Sequence, residues 1–395
     1  IVLVTNGITF GLSNLMSTTI NNKAYIPLVE YNKLKSVYNE FSKVMEVEEY
    51  IGEKYLRDVD KEKLREGQLK GLLYSLEDPY STYFTKDEFT SLLEETSGSF
   101  GGIGIMVTPG DDNFITVVSP IEDTPGERAG IKSGDKIIKV NGEEFFAENM
   151  DLAVKEMKGE PDTKVVLTIL RIKDGMENET FDLEITREII RVVTVKSHII
   201  EDDIGYIRIS SFDDLTYKDF KEELDNLGKQ NIKGLIIDLR NNPGGLLKST
   251  IQIADELLGE VDIVYTQTKD GKKRYERSDK RMVDYPLAIL INGGSASASE
   301  ILSGAVKDNN RGVLIGSTTF GKGVVQQIHG LGDGSGLKLT TSEYFTPNGT
   351  NIHGIGIEPD ILVELDEDVE VIGIDNLQGD NQLKRAIEEI KSKIK

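Results

Sequence analysis

Cysteine is absent from all 395 residues. That absence excludes disulfides, zinc–thiolate sites and a thiol nucleophile together. Histidine is scarce: His198, His329 and His353 are the three, and none falls in an HExxH or HxH pattern, so a histidine metal site has no support. Positive charge is in deficit, with 46 Lys and Arg against 68 Asp and Glu and a formal net charge of -22. A surface that acidic repels phosphate backbones, which argues against nucleic acid as a partner. Long apolar runs are missing too. Ile1 to Phe10 is apolar but diluted by Thr, Asn and Gly, too polar to read as a spanning helix. Residues 1–22 are therefore read either as the remnant of a signal or membrane anchor or as an ordinary packed segment. The lack of cysteine agrees with an extracytoplasmic place without requiring one.

What is present suffices for folded cores: 38% of residues are apolar, and the length suggests two or three domains. Between about residues 25 and 80 the pattern is helical. Leu34, Val37, Phe41 and Val44 share one helix face, as do Leu69, Leu72, Leu73 and Leu76 before the breaker Asp78-Pro79. Such stripes pack inward or zip to a second subunit. From about 98 to 186 the period becomes that of strands: Phe114–Val118, Lys136–Val140, and Lys164–Arg171, which is followed by a turn at Asp174-Gly175 and a returning run through Phe181, Leu183 and Ile185. From about 203 strands and helices alternate. Ile204–Ile209, Gly234–Leu239, Pro286–Ile291 and Gly312–Gly316 read as strands, Leu215–Leu227 and a segment from about 297 as helices. This alternation predicts a largely parallel sheet flanked by helices. Leu383–Ile394 is a charged amphipathic helix.

Asn292-Gly-Gly-Ser-Ala-Ser-Ala-Ser-Glu300 runs from the end of a buried strand into a helix. Ligands bind at such strand ends, and a helix N-terminus favours developing negative charge. A serine there is placed as a nucleophile, although serine is also a favoured helix cap. Its base is sought in Gly321-Lys322-Gly323. An amine accepts a proton only when neutral, which in water at pH 7 holds for about one lysine in a few thousand, so such a base has to be desolvated. No Asp or Glu occurs from Thr318 to Gln327, which suits that need. Gly316-Ser-Thr-Thr-Phe-Gly-Lys-Gly323 also comes close to a phosphate-binding loop. Gly323 stands where the magnesium-binding hydroxyl belongs, and Val324-Val325 continues as a strand rather than a helix.

Together, Ser295-Ala-Ser297-Ala-Ser-Glu300 and Phe320-Gly-Lys322-Gly resemble the motifs of the C-terminal processing peptidases, the tail-specific proteases. The resemblance runs from about Leu69 to Asp360. The family's 25-residue interval between nucleophile and base, counted back from Lys322, selects Ser297 over Ser295 and Ser299. It also implies Gln326 as the third catalytic residue, orienting the lysine. Asp238-Leu-Arg-Asn-Asn-Pro-Gly-Gly245 resembles the oxyanion loop, so the N–H of Gly244 or Gly245, with that of Ala298, is expected to hold the oxyanion. The strand-rich segment resembles a PDZ domain. Its signature is Ala129 to Gly142, and Gly102, Ile103, Gly104 and Ile105 are expected to receive a peptide C-terminus through backbone amides. Arg171 is a candidate for coupling that domain to the peptidase.

The expected architecture is thus an α/β peptidase core with an inserted PDZ domain and helical N- and C-terminal regions. Its expected boundaries are 1–22 for the possible anchor, 23–95 for the N-terminal helices, 96–186 for the PDZ domain, 187–362 for the core and 363–395 for a helical tail. The helical ends are expected to take part in a homodimer. The resemblance implies a serine endopeptidase acting on polypeptides with a free C-terminus, without metal or cofactor, outside the cytoplasm and, where residues 1–22 are the remnant of an anchor, attached to a membrane. Two other readings stand beside it: a latent PDZ scaffold that binds peptides without cutting them, and a nucleotide-binding protein built on the Gly316 loop.

Overall fold

The computed structural model describes residues 18–20, 23–172, 178–201 and 203–394, and the chain divides after Pro79 into two units. Most of the segment read as an anchor remnant, and the Asp174-Gly175 turn, lie outside the described residues.

In the first unit, β1 (Thr18–Ile20) and β2 (Lys23–Tyr25) form an antiparallel hairpin. Pro27 opens the long helix α1 (Leu28–Lys54), and Asp60 caps α2 (Lys61–Tyr74) by accepting from the N–H groups of Glu62 and Lys63. The expected apolar stripe lies on α1 but is not packed inward: Leu34, Val37, Phe41 and Val44 are 41–56% exposed.

The second unit opens with β3 (Thr82–Phe84) and α3 (Lys86–Ser97). A capping box of Thr85 and Glu88 starts α3, and Gly98 at φ 72° ends it in the left-handed region. β4 (Ser99–Gly102) leads into the strands β5 (Ile105–Pro109), β6 (Ile115–Pro120), β7 (Lys136–Val140) and β8 (Glu143–Glu144), with the short helix α4 (Pro125–Arg128) after β6. Helix α5 (Met150–Met157) and the hairpin β9 (Lys164–Arg171) and β10 (Glu179–Thr186) complete an antiparallel sheet of order β10-β9-β7-β6-β5. Inward-facing Ile115, Val117, Ile137, Val165, Leu167 and Ile169 close its core. β5 is one of its two edge strands, with no strand on its outer side among the described residues. β11 (Glu188–Arg191) pairs antiparallel with β4 and carries the chain out of this domain.

Beyond it lie β12 (Val195–Ile200), β13 (Ile204–Ile209), α6 (Thr216–Lys229), β14 (Gly234–Asp238), α7 (Leu247–Leu257), β15 (Asp262–Thr268), β16 (Lys273–Arg277), β17 (Leu287–Ile291), α8 (Ala298–Asp308), β18 (Val313–Gly316), β19 (Val324–Gly330), β20 (Gly336–Phe345), β21 (Ile361–Leu362) and α9 (Asn381–Lys393). The core sheet has the order β12-β13-β14-β17-β18-β21, parallel except for β12. Successive side chains of a strand point to opposite faces. Ile207, Leu235, Ile237, Ile289 and Ile291 accordingly pack against α6, α7 and α8, whereas Tyr206, Ile236, Ala288, Leu290 and Ile315 pack against α9. A second sheet, β16-β15-β20-β19, is joined by β3 through β20. The strand-rich domain from β4 to β11 is therefore inserted into the core between β3 and β12.

The C-terminal helix α9, a candidate for a part in dimerisation, spends its apolar face within the chain, with Leu383, Ala386 and Ile390 fully buried against the core sheet.

Candidate active site

Two loops meet at the C-terminal ends of β14 and β17. The first, Leu239 to Gly245, starts from a buried charge cluster. Arg240 donates to Asp238 at 2.6 and 3.0 Å, to Asp380 at 2.7 and 2.9 Å and to Gln382 at 3.0 Å. All these side chains are shut off from solvent. Burial alone works against the guanidinium charge, but the flanking carboxylates outweigh it and hold the Arg240 proton more tightly than usual. For Asp380 burial works to raise the carboxyl, and the Arg240 hydrogen bonds outweigh that and keep it below its ordinary value. Asp380 also caps α9 by accepting from the N–H of Leu383. The first loop is thereby tied to the C-terminal helix.

The second loop, Asn292 to Ser297, is stitched to the first by its own side chains. Asn292 accepts from the N–H of Asn241 and donates to its side-chain oxygen, each at 2.9 Å. Ser295 donates to the carbonyl of Leu239 at 2.8 Å, and Ser299 donates to that of Asn242 at 3.0 Å. Both serines are fully buried. Ser297 is placed differently. It sits at the turn into α8 with φ 51° and ψ -110°, a conformation rare for a residue with a Cβ, and it lines an open cleft.

Lys322, Gln326, Gly244, Gly245 and Ala298 line the same cleft of about 420 Å³. The Gly244 N–H is committed to the Asn242 side-chain oxygen at 2.9 Å, and at φ 103° a Cβ on Gly244 would press to 2.9 Å from both the Ala298 nitrogen and the Ser297 Cβ. Among the described residues the N–H groups of Gly245 and Ala298 donate to no backbone or side-chain acceptor. Of the two glycines left open by the motif, Gly245 is the one with an available N–H.

Lys322 is flanked by glycines for a steric reason: a Cβ at Gly321 or Gly323 would strike the backbone of residues 353–356 within 3.0 Å. Its Nζ lies 4.7 Å from the centre of the Tyr80 ring, a setting that favours a cation. After the loop the chain enters strand β19, so no helix N-terminus follows Gly323 to hold a phosphate. Gln326, on β19 beside a bulge, donates to Thr340 at 3.2 Å.

The absence of acidic residues from 318 to 327 does not describe the folded surroundings of this loop. Glu300, fully buried on the first turn of α8, accepts from the N–H of Ser297 at 2.7 Å, the Thr319 hydroxyl at 2.6 Å, and the N–H groups of Gly321 at 2.7 Å and Lys322 at 2.9 Å. One carboxylate thus joins the backbone of Ser297 to the backbone of Lys322. Burial and the Glu300 charge push the Tyr344 hydroxyl well above its usual range, and it donates to the carbonyl of Ser297 at 3.2 Å. Glu300, Asp238 and Arg240 stand within the motifs, which by themselves give them no role. The readable signal is a charged residue within the otherwise uncharged first turns of α8.

In the strand-rich domain Gly102 ends β4, Ile103 is buried in the domain core, Gly104 takes φ 73°, and β5 begins at Ile105. Arg171 is engaged inside this domain. It donates to both oxygens of Asp135 at 2.7 Å and to the carbonyl of Gly130 at 2.8 Å, and it lies over the Phe181 ring. These contacts do not reach the peptidase core.

Residues 203–363 match the family model described as Peptidase family S41, residues 116–171 match that of the PDZ domain, and residues 2–88 match the activating protease CtpB N-terminal domain. A carboxy-terminal-processing protease of Bartonella bacilliformis is 39% identical over 363 residues, which cover 89% of this chain and 82% of that protein. The chain belongs to peptidase family S41, the carboxy-terminal processing proteases. Carboxy-terminal processing protease CtpA of Bacillus subtilis is 40% identical over 329 residues, covering 83% of this chain and 70% of that one. The solved photosystem II D1 C-terminal processing protease superposes with a TM-score of 0.50 at 28% identity, over 88% of this chain and 93% of that chain. As a member of this family the chain is a protease of the serine class that carries a PDZ domain, and its substrates are proteins or peptides. Among the described residues no helix is long and apolar enough to cross a membrane.

Proposed function

We propose that the protein is an endopeptidase that captures the C-terminal tail of a polypeptide in its PDZ domain and cuts it with Ser297 as nucleophile and Lys322 as base. The observation that carries this reading is the sorting of side chains in the cleft. Ser295 and Ser299 are committed to backbone carbonyls, whereas Ser297 shares an open cleft with Lys322 and Gln326.

In the reaction, the neutral Lys322 amine takes the Ser297 hydroxyl proton as Oγ attacks the substrate carbonyl. The N–H groups of Gly245 and Ala298 receive the oxyanion, preorganised by the two stitched loops. The lysine then gives its proton to the leaving amine, and water releases the acyl group by the reverse steps. Gln326 holds the lysine nitrogen by hydrogen bonding. The two connections to the PDZ domain are α3 and the β4–β11 ladder, and Leu92, Glu95 and Thr96 of α3 line the cleft. Movement of the PDZ domain therefore gates the site. The reading includes a homodimer formed through the exposed apolar face of α1 and an extracytoplasmic place of action.

The test is cleavage of an unfolded protein by the parent, Ser297→Ala and Lys322→Ala. Each variant is expected to lose at least about 10³-fold in kcat/KM, as when a member of a catalytic nucleophile–base unit is removed. Equal cleavage by all three would overturn the assignment. Equal absence of cleavage, with tail binding intact, would leave a peptide-binding scaffold.

A further inference from the structure

The C-terminal end of α5 adjoins the glycine loop of the PDZ domain. The N–H of Gly159 donates to the carbonyl of Gly101 at 3.1 Å, and a Cβ on Gly102 would lie 3.9 Å from the Cα of Lys158. Next to Gly102, the N–H groups of Ile103 and Gly104 donate to no acceptor among the described residues. Two open amides and a lysine one side-chain length away make a receptor for a carboxylate.

The Lys158 ammonium is already occupied. It lies 4.6 Å over the Phe100 ring and donates at 2.8 Å to the carboxylate of Glu94, on α3. Both partners are about one-third exposed, and an ion pair so open to water is weak enough to exchange one carboxylate for another. Glu94 is flanked in sequence by residues of α3 that line the catalytic cleft. A second pair, Lys155 with Asp87 at 2.6 Å, also joins α5 to α3 but is far more exposed.

We propose that Lys158 is a ligand of the free terminal carboxylate of a bound tail, and that Glu94 stands in for that carboxylate while the domain is empty. Arrival of the tail transfers Lys158 from Glu94 to the tail and detaches this point of α3 from the PDZ domain, at the rim of the cleft. The inference rests on the tail-capture reading above and adds to it the group that reads the terminus and the contact that is broken.

The experiment is calorimetry on the full chain carrying Ser297→Ala, titrated with one short peptide ending in an apolar residue, supplied as the free acid and as the C-terminal amide. The parent is expected to prefer the acid. Lys158→Met is expected to lose roughly 10- to 100-fold of that preference, the worth of a hydrogen bond to a charged group, with amide binding unchanged. Lys158→Arg is expected to keep it. Glu94→Gln is expected to tighten the acid severalfold, and to do nothing once Lys158→Met is present. Asp87→Asn, the control at the other pair, is expected to leave the ratio alone. An unchanged acid-to-amide ratio in Lys158→Met would overturn this proposal alone. No preference for the acid in the parent would overturn the tail-capture reading and this inference with it.

Discussion

Glu300→Gln keeps the shape of the side chain and removes its charge. The carboxylate takes four hydrogen bonds, from Ser297 and Lys322 at one oxygen and from Thr319 and Gly321 at the other. An amide nitrogen on the first side would face two backbone N–H groups, so it settles on the second. There the Thr319 hydroxyl can turn to accept, but the N–H of Gly321 cannot. One bond to a charged acceptor is lost, about 1.5–3 kcal/mol, and a buried donor is left unpaired. Together these come to about 3–4 kcal/mol, which in a domain of this size lowers Tm by roughly 6–16 °C. The freed N–H belongs to the residue before Lys322, so the lysine loop shifts relative to Ser297. A displacement of about 1 Å costs on the order of 100-fold in rate. The assay is steady-state cleavage at a temperature where parent and variant are both folded, beside thermal unfolding of each. The expected result is a kcat lower by about 100-fold with KM within threefold of the parent. A variant with lowered Tm and parental kcat would refute the positioning role and leave Glu300 a structural acceptor only.

Asp380 has a carboxyl held below its ordinary value, so its ionisation stabilises the fold above the unfolded value near 4 and that contribution is lost as pH falls through the folded value. Unfolding followed by circular dichroism from pH 6 to 2 is expected to show a steep acid limb that is shallower in Asp380→Asn, whose stability at pH 7 is lower by about 1.5–3 kcal/mol through the loss of one of the two carboxylates that accept from Arg240. Gly244→Ala places a methyl group in contact with Ser297 and Ala298. It is expected to abolish cleavage while leaving PDZ peptide affinity unchanged, as binding and rate measurements on one preparation will show. Phe41→Glu on the exposed face of α1 is expected to shift sedimentation from dimer to monomer without lowering Tm of the core.

The strand and helix periods of the core are legible because its central strands are buried on both faces and α6, α7 and α9 mainly on one. Ser297 and Lys322 were legible through a fixed interval in the chain. What could not be read was any bond between distant segments. Glu300 meets the lysine loop across 21 to 22 residues, and no periodicity reports that closeness. Gly244 and Gly245 are equivalent as letters and differ only once Asn242 takes one of their N–H groups. The last helix looked like a free amphipathic surface because nothing local reveals that the far face of the sheet is bare without it.

That helix has a further consequence through Arg240. The loop that offers the Gly245 N–H is anchored to Asp380, 140 residues later in the chain. A growing chain on the ribosome therefore holds Ser297 and Lys322 before it holds the residue that anchors this loop, and the loop gains that support only once Asp380 and the helix it caps have been made.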